Sequence, residues 1–259
     1  MTTISMSAHA DFAPKTSTLL AAADSAHRDA QFLGRFTGLM FIVTFATAIP
    51  PVVTFYVPAL SDPAFVLGGG FDRNVSWGAL LELLLILSNV ATAIALYPVL
   101  KRRFPVLSLG FVTARLIESV FIAVGIVALM ALNTLRMEAG DADPDALMAV
   151  GKALVAVHDW TFRMGPGIVV GVGNGLILSY MMWRTRLVPR YLSVMGLIGG
   201  PALLAAGAAI LFGAIDIGST PQVIATAPEF VWELSLGAWL LVRGFDAWAL
   251  KALDAGQVR

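Results

Sequence analysis

An all-α fold is what this sequence predicts: a polytopic transmembrane bundle of six helices with both ends of the chain on the cytoplasmic side. Three observations carry that expectation. The 259 residues are 58% hydrophobic and 13% charged, where soluble domains have about a quarter charged and under half apolar. Mean hydropathy is +0.81, and no globular core of this length hides so much apolar surface, so lipid must solvate part of it. Finally, six apolar segments, at 36–57, 77–100, 106–132, 162–183, 190–213 and 226–246, each reach the ~20 residues a helix needs to cross the hydrocarbon.

The elements follow in order. Residues 1–33 form a polar Ala/Ser/Thr-rich arm, flexible or lying at the surface as a short helix between Ser17 and Arg35. The first apolar run contains Ala46-Thr47-Ala48, which resembles a signal-peptide cleavage site, but the polar stretch before the run is too long for an ordinary n-region. Residues 34–246 make the membrane domain. Its spans must be helical, because lipid offers no partner to an unpaired backbone group. Between the third and fourth spans, Asp143-Pro144 starts a further helix, and Ala146, Leu147, Val150, Leu154 and Val157 give it an apolar stripe. The expectation is an amphipathic helix near 144–160, lying across the outer face of the bundle. Residues 247–259 are a short cytoplasmic tail.

Orientation comes from the basic residues. The N-terminal arm, the Lys101-Arg102-Arg103 turn, the turn holding Arg184, Arg186 and Arg190, and the C-terminal tail carry three Lys or Arg each. The alternate connections hold only Arg73, Arg136 and Lys152, with eight acids. The positive-inside rule then puts both termini in the cytoplasm. Trp77, Trp160 and Trp232 fall near the outer boundary and Trp183 and Trp248 near the inner one, as interfacial indoles should.

Composition also excludes. Net charge is zero, and no basic patch interleaves with aromatics, so nucleic acid is not an expected partner. There is no cysteine, which removes disulfides and thiolate chemistry. No Gly-x-Ser-x-Gly is present, and Ser88 and Ser119 sit in apolar spans where hydroxyls bond their own helix.

Two patterns of small residues stand out. Gly167, Gly171 and Gly175 share one face of the fourth span, and Gly196 and Gly200 one face of the fifth. In lipid, helices associate through such close-packing faces, within a chain or between copies as a homo-oligomer. Gly171-x-Gly173-x-Gly175 also echoes a nucleotide-binding turn, but it lies inside an apolar span with no strand before it. No cofactor is expected.

The informative residues are the charges inside the spans: Glu82, Glu118, Glu229, Glu233 and Arg115, with Arg163 and His158 where the fourth span enters. An ionised group at mid-bilayer costs about 2.5–3.5 kcal/mol on insertion scales, so such residues turn inward and find partners. Arg115 and Glu118 are i, i+3 and can pair along one helix face. Glu229 and Glu233 are i, i+4, unfavourable when both are ionised. Four carboxylates against few guanidinium groups call for a shared proton or a bound cation. Most of these groups belong to the outer half of the membrane, with Arg115, Glu118, Asn89 and Asn174 nearer its middle. A polar pocket facing outward accommodates the set. The alternative is that Arg115–Glu118 is a structural bridge and the other glutamates are water-exposed or neutral and hydrogen-bonded. A metal is not expected, since no span carries paired histidines and His158 beside Asp159 reads as a surface pair. No inverted repeat and no clearly broken helix pair is visible.

Three stretches, Ala93-Ile-Ala-Leu-Tyr-Pro-Val-Leu-Lys-Arg102, Leu109-Gly-Phe-Val-Thr-Ala-Arg-Leu-Ile-Glu118 and Glu233-Leu-Ser-Leu-Gly-Ala-Trp-Leu-Leu-Val-Arg-Gly-Phe245, together resemble a bacterial integral-membrane family catalogued as a domain of unknown function. The resemblance covers 34–246 and implies a helical bundle in the cell's inner membrane; it brings no activity with it. The expected function is therefore a small transporter or ligand-binding protein, with the bilayer and a small-molecule or cationic ligand as partners. An intramembrane enzyme, metal-dependent or not, and a non-catalytic scaffold are the rival readings.

Overall fold

The computed structural model describes residues 12–256, with side chains from Asp24 onward; the start of the polar arm and the last three residues of the tail lie outside that range. Every regular element among the described residues is helical. Helix α1 (Phe12–Pro50) continues through a π-helical turn, Pro51–Phe55, to the short α2 (Val57–Ser61) and a 3-10 turn, Phe65–Gly68. The long helices α3 (Arg73–Leu100) and α4 (Pro105–Met137) follow. Helix α5 (Pro144–Met164) runs on through π-helical stretches, Gly165–Val169 and Gly171–Leu178, into α6 (Ser179–Thr185). Helices α7 (Arg190–Leu211), α8 (Thr220–Arg243) and α9 (Ala247–Asp254) complete the chain.

Five of these rods are long and apolar enough to cross a membrane: 24–55, 73–100, 105–137, 144–185 and 190–211. Helix α8, the sixth expected span, has the length at 24 residues, but Glu229 and Glu233 lower its hydropathy and it is not among the five. Side by side, α1 packs on α3 and α8, α3 on α4, α4 on the 144–185 rod, that rod on α7, and α7 on α8. The rods close into a ring.

Helix ends follow local chemistry. Asp72 caps α3 by accepting from the backbone N–H of Asn74 at 2.7 Å and of Val75 at 3.2 Å, satisfying donors that have no partner inside the helix. Asn133 of α4 then fixes that cap, its Oδ1 accepting from Asp72 N at 2.8 Å and its Nδ2 donating to Asp72 O at 2.9 Å. Pro105 and Pro144 sit at helix starts, where the missing N–H costs nothing.

Three sequence expectations change. The N-terminal segment is not a separate surface helix, since α1 is unbroken from Phe12 to Pro50. The helix expected at 144–160 exists, but it does not lie across the bundle. A Cβ placed on Gly151 would meet Leu132, one on Gly165 would meet Phe121, and one on Gly173 would meet Ala114. The rod therefore descends antiparallel along the whole of α4. Its Gly165-Pro166-Gly167 does not interrupt it, because π-helical turns (uncommon, and frequent at functional sites) carry the chain past the proline. Trp232 is not interfacial either. It is fully buried and donates from Nε1 to the carbonyl of Asn174 at 3.1 Å.

The glycine faces are used inside the chain. Gly175 and Gly200 meet backbone to backbone where the rod crosses α7, Gly171 lies against the Gly200 carbonyl, and Gly196 leaves room for Trp232. A Cβ on Gly167 would touch only the Phe162 carbonyl at 3.6 Å, so this position does not require glycine. A crossing not expected from the sequence joins α1 to α8, where a Cβ on Gly38 would lie 2.7 Å from the Gly237 carbonyl. The apolar core forms two main clusters. One gathers Phe41, Leu96, Phe111, Met181 and Leu236 at the basic end, and the other gathers Tyr56, Phe65, Val75, Leu129 and Leu147 at the opposite end. The charged residues of the spans lie between them.

Candidate functional site

Between the two clusters the ring encloses a cavity of about 330 Å³. Glu82 and Asn89 reach it from α3, Arg115 and Glu118 from α4, His158 from α5, and Glu229 and Glu233 from α8. Residues far apart in sequence meet here because each is the inward face of its own rod at the same level of the bundle. Asn174 and Arg163 do not line this cavity. Asn174 stands behind it and donates from Nδ2 to Glu233. Arg163 stacks on Trp160 at 4.5 Å and borders a smaller adjacent cavity of about 140 Å³.

The floor is a closed triangle. Arg115 donates from Nη1 to Glu118 Oε2 at 2.8 Å and from Nη2 to Asn89 Oδ1, while Asn89 Nδ2 donates to Glu118 Oε1 at 3.0 Å. The Phe41 ring lies 5.8 Å from the guanidinium carbon. All three polar residues are buried, and each bonds to the other two, giving the buried charges partners.

A second group lies toward the opposite end. Tyr56, fully buried, donates from its hydroxyl to Glu82 Oε2 at 2.9 Å and meets the His158 ring edge to face at 5.7 Å. His158 is buried rather than part of a surface pair; its Nδ1 is 3.6 Å from Asp159 Oδ1, beyond hydrogen-bonding distance. Tyr56 was not among the candidate residues of the sequence, since a tyrosine at the end of a span reads as an interfacial anchor. A Cβ on Gly78 would strike the Tyr56 ring, so this glycine is what lets the phenol reach Glu82.

Glu229 stands apart. It is 2% exposed, and neither carboxylate oxygen has a hydrogen-bond partner. It enters the cavity wall where the rod and α7 come together, with Oε2 within 2.9 Å of the Cβ positions of Gly175 and Gly199. Arg115 Nε and His158 Nδ1 are also buried without a partner. Buried polar groups in native structures are nearly always paired, so these atoms hold hydrogen-bonding capacity that the protein itself does not use. The threonine hydroxyls around the cavity are committed elsewhere: Thr44, Thr161 and Thr226 donate to the carbonyls of Phe41, His158 and Gln222.

Much of the wall is apolar. Phe45 of α1 packs edge to face on Phe230 of α8 at 4.9 Å. Ile49, Val53, Phe162 and Phe230 line the cavity and are also exposed on the outside of the bundle, so they mark its rim. The site is a charged floor beneath an apolar mouth. Among the described residues no three His, Asp or Glu side chains come close enough together to hold a metal ion.

Five long apolar rods, closed into a ring by α8, define the class: a multi-pass α-helical membrane protein. Within it, the chain belongs to the family described as a domain of unknown function, DUF4386, whose model matches residues 36–244. No curated protein and no solved structure matches it. All of the cavity-lining charges fall inside the matched range.

Proposed function

We propose that this protein binds a small amphipathic molecule with a cationic or proton-bearing head, as the recognition step of transport across its membrane. One observation carries the reading: Glu82, Glu118, Glu229 and Glu233 converge with a single guanidinium, Arg115, on one enclosed space. Arg115 is committed to Glu118 and Asn89. That leaves acceptors in excess of donors, and a cationic N–H group supplies what is lacking. The apolar rim suits the rest of such a molecule, since pockets for small ligands are mostly apolar with a few convergent polar groups.

In this reading α8 is a sixth span and both termini face the cytoplasm, as the distribution of Lys and Arg supports. The cavity then opens to the outside of the bacterial inner membrane. The scaffold alternative is weakened because Gly171, Gly175, Gly196 and Gly200 are spent on packing within the chain. Among the described residues, no donor cluster supports the metal-dependent enzyme alternative.

The test uses three octyl compounds that differ only in head: octylamine, octanol and octanoate, titrated into purified protein in detergent with tryptophan fluorescence as readout. Octylamine should bind at least about tenfold more tightly than octanoate, roughly 1.4 kcal/mol of preference, and Glu229→Gln/Glu233→Gln should abolish that preference. Equal binding of all three, unchanged in the double variant, rejects the proposal.

A further inference from the structure

A second cleft lies at the basic end of the bundle, beyond the apolar cluster and away from the carboxylate cavity. It measures about 860 Å³ and is bordered by Arg35 of α1, Arg186 and Arg190 of the α6–α7 turn, and Arg243 at the end of α8. All four arginines are exposed. Among the described residues one acid borders it, Asp246, with a carboxylate oxygen engaged in capping α9, where it accepts from Ala249 N at 2.8 Å. Four guanidinium groups thus face one space with little to balance them.

The cleft is built, not merely a crowded surface. Gln31 clamps the connection between α8 and α9, donating from Nε2 to Phe245 O at 2.7 Å and accepting from Phe245 N at 3.0 Å. Asp246 N donates to Leu187 O at 2.9 Å, tying the same connection to the α6–α7 turn. Arg243 and Arg190 rest against the faces of Trp239 and Trp183, at 5.9 and 5.1 Å. Arg186 alone among the described non-glycine residues has a positive φ, 57°. A left-handed backbone is costly for an L-residue, and glycine or asparagine is the usual occupant of such a helix end. Here the backbone position brings a fourth guanidinium to the cleft.

We propose that this cleft binds a phosphate group, presented by the headgroup of an anionic phospholipid. Guanidinium forks match phosphate oxygens, and basic pockets at the cytoplasmic ends of membrane helices suit anionic headgroups. Trp248, 70% exposed beside the arginines, places an indole where it meets the lipid interface. A soluble phosphate shares the same chemistry, and the experiment separates the two.

Full-length protein in detergent is supplied with phosphatidylglycerol or phosphatidylcholine, and bound lipid is counted by native mass spectrometry. The comparison is with Arg186→Gly/Arg243→Gln, in which glycine relieves the left-handed position and so preserves the fold, and with Arg28→Gln/Lys101→Gln, which removes equal charge outside the cleft. Phosphatidylglycerol should be retained by the native chain and by the control, and at least about tenfold more weakly by the cleft variant. Retention of inorganic phosphate, supplied at millimolar concentration, by the native chain and the control but not by the cleft variant, with no lipid retained, keeps the phosphate site and assigns it a soluble ligand. Equal losses in the cleft and control variants, or equal retention of phosphatidylcholine, overturn it. None of these arginines touches the carboxylate cavity, so this result and the octylamine titration stand or fall separately.

Discussion

The Glu229 carboxylate occupies the space into which a side chain on Gly175 would project: Oε2 lies 2.9 Å from that Cβ position. The two residues belong to different rods, α8 and the 144–185 rod, so the glycine does two things at once. It lets the rod reach α7, and it makes room for a buried acid at the cavity wall.

Gly175→Ala should therefore lower stability by about 1–3 kcal/mol, the usual range for overpacking a tight interface, and should also alter ligand binding by displacing Glu229. Gly167→Ala, two turns away, meets only a carbonyl at ordinary distance. It should be neutral or stabilising by up to about 1 kcal/mol, the helix preference of alanine over glycine. Thermal unfolding in detergent of the two variants side by side checks the contrast.

Arg115→Met or Glu118→Gln alone should destabilise by about 3–5 kcal/mol, since each strands a buried charged or hydrogen-bonding partner. The double variant should cost less than the sum of the two, because the pair is removed together. A strictly additive double-mutant cycle would mean that the triangle with Asn89 is not an interacting unit.

Tyr56→Phe removes the donor that reaches Glu82 and leaves a buried carboxylate oxygen unpaired. A loss of about 1–3 kcal/mol is expected, with a larger effect on octylamine binding than from Tyr97→Phe, which lies near the basic end. Unchanged stability and binding in Tyr56→Phe would remove Glu82 from the site.

The absence of cysteine makes topology simple to test. Asp141→Cys and Asp216→Cys should react with a membrane-impermeant maleimide in intact spheroplasts, whereas Ala255→Cys should react only after permeabilisation. The reverse pattern inverts the proposed orientation.

Five of the spans were legible, the fourth only in part, because a lipid-facing helix must be apolar for about 20 residues. Glu82, Arg115, Glu118, Glu229 and Glu233 were legible for the converse reason: ionisable groups are too costly in lipid to be there without turning inward. Other features were hidden because their signal is pairwise. Gly38 and Gly237 lie on different helices and carry no local repeat, so their crossing is invisible until the rods are assembled. Trp232 has the sequence position of an interfacial indole, and only the room left by Gly196 reveals a buried one. His158 looked like a surface partner of Asp159 because the rod containing it was expected to lie flat.

The unbroken rod has a mechanical consequence. At about 1.5 Å per residue, the 33 residues of α4 and the 42 of the rod reach about 50 and 60 Å, while the hydrocarbon is only ~30 Å thick. The hairpin they form is therefore longer than the hydrocarbon is thick, a mast with Asp141 and Asp143 at its tip. His158 and Asn174 lie further down one arm of that mast. In the proposed orientation, an antibody fragment gripping the tip would hold the same shaft that walls the cavity, giving an external handle on the site.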